Sequence, residues 1–203
     1  LELVIGVNQL DRQSIEIVEI PYAEKQSHLR QGDYDAIQCY HLDEPIAFAA
    51  ETGIQPIILQ LSDYGFDGYS QVIFTPRDFL EGSSDIVQRF LTATFDGWGR
   101  AIADIPSTAH LIATRYAKGA YASEPYQAAS LAIVADYVQK GLVKKGRSPD
   151  PLGYISPQRW RKTAQQFKTY GLIKKLPDLE KSLTADSKES PQYSLSSDRF
   201  PLG

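Results

Sequence analysis

Two short clusters put rings and carboxylates side by side in this sequence. The first is "YHLDEP" at 40–45, with Tyr40, His41, Asp43 and Glu44. The second is "SDYGFDGYS" at 62–70, with Asp63, Tyr64, Phe66, Asp67 and Tyr69. A flat nitrogen heterocycle can stack on Tyr40 and donate amino hydrogens to Glu44 or Asp43. Aromatic rings interleaved with acids in the second cluster suit a flat, amino-bearing or partly cationic ligand, and Asp63 and Tyr64 are its candidate contacts. Each cluster also has a plainer role. Asp43 is well placed to cap a helix, and the second cluster has the glycines and aspartates of a turn or hinge held by aromatic packing. His41 has no second histidine close by to share a metal.

These clusters need elements to hold them. "GDYDAIQCY" (32–40) has turn residues followed by strand composition, so the first cluster sits where a strand's carboxyl end opens into a polar loop, the usual ligand edge of an open α/β sheet. "DEPIAFAAETG" (43–53) then reads as a helix, with Pro45 in its first turn and Gly53 at its end. "PIILQL" (56–61) and "QVIFTP" (71–76) read as strands flanking the second cluster. Upstream, "LELVIGV" (1–7) and "SIEIVEIPY" (14–22) read as two more strands, too close in sequence for a parallel crossover and so paired as a hairpin. "AEKQSHLRQG" (23–32) is a short helix. From Arg77 onward the pattern turns helical. Ser83, Ser84 and Asp85 offer N-caps to a helix whose stripe includes Val87, Phe90, Leu91 and Trp98, and helices follow at 104–119, 123–141 and 156–171. Trp98 and Trp160 lie on apolar stripes and are expected in the core.

The expected organisation is an α/β lobe over 1–61, a crossover or hinge over 62–76, a helical part over 77–183 and a Ser/Asp/Pro-rich tail or linker over 184–203. A formal net charge of −4 argues against nucleic-acid binding, and the basic cluster "QKGLVKKGR" (139–147) has the composition of a helix C-terminus. No apolar run reaches the roughly 18 residues of a membrane span. The single Cys39 excludes an internal disulfide or a Cys-based zinc site, and the absence of methionine reads as a processed, trimmed or excised chain. No Gly-x-Ser-x-Gly elbow, P-loop or HExxH motif is present, so no catalytic role or cofactor is expected.

Taken in order, "GDYDAI" (32–37), "EP" (44–45), "DYG" (63–65), "VIFTPRDFLE" (72–81), "FDGWGRAIAD" (95–104) and "GYISPQRWRKTAQQFKTYGLI" (153–173) resemble the type II substrate-binding proteins of ABC transporters. The likeness is to the thiamine-pyrimidine, taurine and nitrate group, nearest the branch that handles thiamine pyrimidine precursors. It spans roughly residues 30–175. The resemblance implies a periplasmic binding protein-like II fold, incomplete here, with one α/β lobe and the helical C-terminal part of the other. It also implies a small heteroaromatic or amine ligand contacted by Tyr40, Glu44, Asp63 and Tyr64. The implied partner is an ABC permease or a fused signalling module, with membrane contact only through that partner, and the implied location is periplasmic or otherwise extracytoplasmic. A ligand-sensing input domain of the same fold is the alternative. A pyrimidine-synthesising enzyme, which needs a cysteine-rich iron run, is disfavoured by the lone Cys39.

Overall fold

Caps and stop signals set the helices of this chain, whose computed structural model describes residues 1–142 and 152–183. In chain order these are α1 (Glu2–Val7), α2 (Lys25–Gln31), α3 (Glu44–Thr52), α4 (Arg77–Gly82), α5 (Ser84–Ala103), α6 (Ile105–Arg115), α7 (Glu124–Leu142), α8 (Pro157–Thr169) and α9 (Leu179–Ser182). Ser156 caps α8 by accepting the Arg159 amide at 3.3 Å, with Pro157 at the first helical position. Asp104 does the same for α6 through the Ser107 amide at 3.1 Å, and the Ser107 hydroxyl first and this amide second hold its carboxyl below the usual range. Ser123 accepts the Tyr126 amide at the start of α7. The four expected helices from residue 83 onward are therefore all present. The basic cluster at 139–147 lies largely, and the tail at 184–203 wholly, outside the described residues.

The expected α/β sheet is not formed among the described residues. Among the described residues no strand is formed: 1–7 is a helix, and the segments at 14–22, 34–40, 56–61 and 71–76 are mostly extended or end in 3-10 turns without a ladder. Strand composition only favours a pleated, half-buried surface, and a strand exists only where a neighbour takes its backbone groups. Most of the large apolar side chains of these segments are exposed, with Ile15, Ile20, Ile37 and Ile58 half-buried. Ile57 is 91% and Phe74 88% exposed. For 1–7, a continuous apolar run lacks the alternation that separates strand from helix, and helical closure satisfies its amides locally. Leu3, Val4 and Ile5 are buried on that helix.

The chain divides into two compact units. The first takes residues 1–18, 59–87 and the described part of 153–191. In it α1 packs on a 3-10 turn, Leu61–Tyr64, and Asn8 Nδ2 donates to the carbonyls of Val4 and Tyr64 at 2.8 Å each. The second takes 19–58 and 88–142 with Leu152. Its centre is the packing of α6 on α7, with Ala109 and Ala113 of one helix and Leu131 and Ala135 of the other buried, each pair at i, i+4. Small side chains let the two backbones approach closely. α3 packs on α7 as well, burying Phe48. Trp98 is not in a core: it is 40% exposed on α5, which buries no residue.

Candidate functional site

Within the second unit, the loop before α3 meets the turn before α2. Asp43 precedes α3, yet its carboxylate caps nothing. Oδ2 instead accepts the Tyr22 hydroxyl at 2.8 Å, and Oδ1 accepts the Tyr126 hydroxyl from α7. Both phenols are pushed well above the usual tyrosine range. For Tyr22 the hydrogen bond to the Asp43 carboxylate is the main cause; for Tyr126 burial leads, followed by the same bond. They therefore stay protonated donors at any physiological pH.

Glu44, the first residue of α3, makes the local side-chain bond of this loop. Its Oε2 accepts the Tyr40 amide at 2.7 Å, which closes the 40–44 loop onto the helix start. Its Oε1 lies 3.4 Å from Lys25 Nζ, whose ammonium also donates to the Gln38 carbonyl at 3.0 Å and sits 5.0 Å from the centre of the Tyr22 ring. Glu44 is 4% exposed, so this is a buried carboxylate with a cation and an amide for partners. Next to it, burial first and the Glu44 charge second raise the Cys39 thiol, which leaves it a poor nucleophile near neutral pH.

A cavity of about 250 Å³ opens beside this cluster, lined chiefly by Tyr22, Gln26, Arg30, Glu44, Glu51 and Tyr121. Arg30 Nη1 and Glu51 Oε2 pair at 3.1 Å, leaving further guanidinium N–H groups and the second carboxylate oxygen for other partners. Phenol rings, a paired fork and carboxylate, and a buried acid make a wall for a small, flat molecule with both donors and acceptors. The volume falls below the usual 300–1,000 Å³ of drug-sized pockets, so the occupant is small.

The four candidate contacts fall into two groups. Tyr40 and Glu44 are in the second unit, with Glu44 on the cavity wall and the Tyr40 ring 52% exposed. Asp63 and Tyr64 are in the first unit, in the 3-10 turn after Gln60. Asp63 makes no side-chain hydrogen bond among the described residues, and Tyr64 is 41% exposed. The rest of the second cluster packs on α8. Phe66 stacks with Phe167 (6.1 Å between centroids), Tyr69 lies against Trp160 and 4.3 Å beneath the Arg159 guanidinium, and Arg159 pairs with Asp67 at 2.7 Å. That is the aromatic turn-holding role. His41 Nδ1 meets the Tyr137 hydroxyl at 2.9 Å. No group of three or more His, Cys, Asp or Glu suited to a metal occurs among the described residues, and no described helix is long and apolar enough to cross a membrane.

Sequence reasoning missed Tyr22, Lys25, Arg30, Glu51, Tyr121 and Tyr126. Tyr126 is 83 positions from Asp43, and no local pattern marks such a contact. A family model described as NMT1/THI5 like matches residues 1–109, just over half the chain. No curated protein and no solved structure matches it.

Proposed function

The chain belongs to the NMT1/THI5-like family, and from that premise we propose that it binds a small heteroaromatic or amine solute for an ABC importer. The ligand class is that of a thiamine pyrimidine precursor, and the partner is a membrane permease met outside the cytoplasm. The role is binding, with no catalytic step.

The observation that carries the reading is the buried Glu44 on a small cavity walled by Tyr22 and Tyr121 and rimmed by Arg30 and Glu51. An aminopyrimidine fits that wall by chemistry. Its ring lies on a phenol face, its exocyclic amine donates to a carboxylate, and a ring nitrogen accepts from Arg30 or Gln26. Lys25 and the Tyr40 amide hold the Glu44 carboxylate in place, so its position is set before a ligand arrives.

Titration calorimetry of the chain with a series of aminopyrimidines tests this. Binding that weakens about five- to tenfold in Glu51→Gln and in Arg30→Ala, each losing a hydrogen-bonding partner, supports the assignment. No heat with any heteroaromatic amine, or affinities untouched by both substitutions, defeats it.

A further inference from the structure

Helix α8 and the turn after it carry a charge unlike the rest of the chain. From Leu152 to Pro177 there is no Asp or Glu, while Arg159, Arg161, Lys162, Lys168, Lys174 and Lys175 give the stretch +6 in a protein of net charge −4. Arg159 is spent on Asp67. The other five are exposed, and none forms an ion pair with a described residue.

Helical geometry gathers them. Trp160, Thr163, Ala164 and Phe167 share the inner arc of α8, which rests on the 65–69 loop of the same unit. Lys162, Arg161 and Lys168, with Gln165 and Thr169 between them, occupy the opposite arc, all exposed. The helix ends in a tight reversal. The amide of Leu172 donates to the Phe167 carbonyl at 2.8 Å with Gly171 at φ 73°, so the chain carrying Lys174 and Lys175 is tied to the helix end. Leu172 (46% exposed) and Leu176 (39% exposed) stand among these lysines.

We propose that this face docks on an anionic phospholipid surface, in place of the expectation that membrane contact runs only through a partner. Charge complementarity is the first argument, because five cations on one face of this unit, in a chain of net negative charge, turn that face toward a negative plane. Residue type is the second. Four of the five are lysines, compact point charges suited to a diffuse layer of headgroups, where arginine forks suit discrete bidentate sites. The third is the pair of exposed leucines among the lysines, which can enter the headgroup boundary; an acidic protein partner would not require them to be apolar. Nucleic acid is a poorer fit, since base stacking needs free rings and those of Trp160, Phe167 and Tyr170 rest on Tyr69, Phe66 and Gly6.

Flotation of the full chain with phosphatidylcholine vesicles, with and without about 30% phosphatidylglycerol, tests the proposal. Binding is expected only with the anionic lipid, and at about 0.5 M salt it should collapse. Removing one such cation weakens binding about fivefold, so K174E/K175E should cost at least 25-fold, roughly the product of two such losses. R115E/K118E changes net charge equally on exposed, unpaired positions of the other unit and should stay within about twofold. L172S/L176S should weaken vesicle binding as well, and circular dichroism of each variant checks that its helices are intact. Equal binding to neutral vesicles, or equal effects of the two charge pairs, overturns the proposal. So does retention on immobilised polyglutamate as tight as on anionic vesicles with no effect of the leucine substitutions, the behaviour of a site for an acidic protein.

Discussion

Replacing Lys25 by methionine removes the one cation among the described residues that pairs with a carboxylate almost wholly out of water. Lys25 and Glu44 have side chains 18% and 5% exposed, with 3.4 Å between Nζ and Oε1. At an effective dielectric of about 20 their attraction is ~5 kcal/mol, most of it offset by the cost of drying both groups. Breaking a fully buried pair costs roughly 3–5 kcal/mol, because the remaining charge is stranded. Glu44 keeps the Tyr40 amide, and Lys25 is partly wet, so Lys25→Met should destabilise the fold by about 2 kcal/mol. Glu44→Gln in the same background removes the stranded charge and can still accept from Tyr40, so the double variant should recover at least ~1 kcal/mol of what the two single changes predict by addition. Urea unfolding followed at 222 nm for all four proteins completes the cycle. Strict additivity, or a Lys25→Met cost below about 0.5 kcal/mol, would show that Glu44 does not depend on Lys25 and that the cavity wall is not held in advance.

Three further expectations concern the supports around the site and α8. Gly65 closes the 3-10 turn at φ 92°, where an added Cβ would come within 2.6 Å of Val7 Cγ1, so Gly65→Ala should cost about 2 kcal/mol by the same unfolding assay. Ser156→Ala leaves the first amides of α8 uncapped and should cost about 1 kcal/mol, while Ser156→Asp should retain most of the stability. His28 lies 2.8 Å from Asp33 and 3.6 Å from Glu24, and chiefly the Asp33 bond raises its pKa above the ordinary 6.5. A raised folded pKa gives stability that is complete below the unfolded value and lost as pH climbs through the folded one. The urea midpoint of the native chain should therefore exceed that of His28→Gln most below about pH 6.5 and converge on it at higher pH; a constant gap would sink that account.

What was legible in the sequence was short-range. Ser156, Asp104 and Ser123 each start a helix through a bond to an amide three residues away, so the residues that decide the helix are its neighbours in the chain. Gly32 and Gly53 end α2 and α3 for the same local reason, taking a left-handed conformation that other residues resist. Strands have no such local closure. Val72, Ile73 and Phe74 have every propensity for one, but a ladder needs a second backbone, and the described residues place none against them. Composition reported what those residues could join and was silent on whether anything joins them.

The same distinction explains how the site departs from its reading. Asp before a proline-started helix is a cap by every local rule, yet both Asp43 oxygens are taken by phenols from 21 and 83 positions away. Two phenolic donors, one of them partly buried, set where the Asp43 carboxylate points, and in that position it reaches no amide of the helix end. Glu44 makes a different local bond, turning back to the Tyr40 amide ahead of the helix, and its side chain is buried beneath the loop. Burial then requires a cation, which among the described residues Lys25 supplies. The long-range contacts at Asp43 thus take it from the helix end, while Glu44, the acid expected to face a ligand, is the charge on the cavity wall.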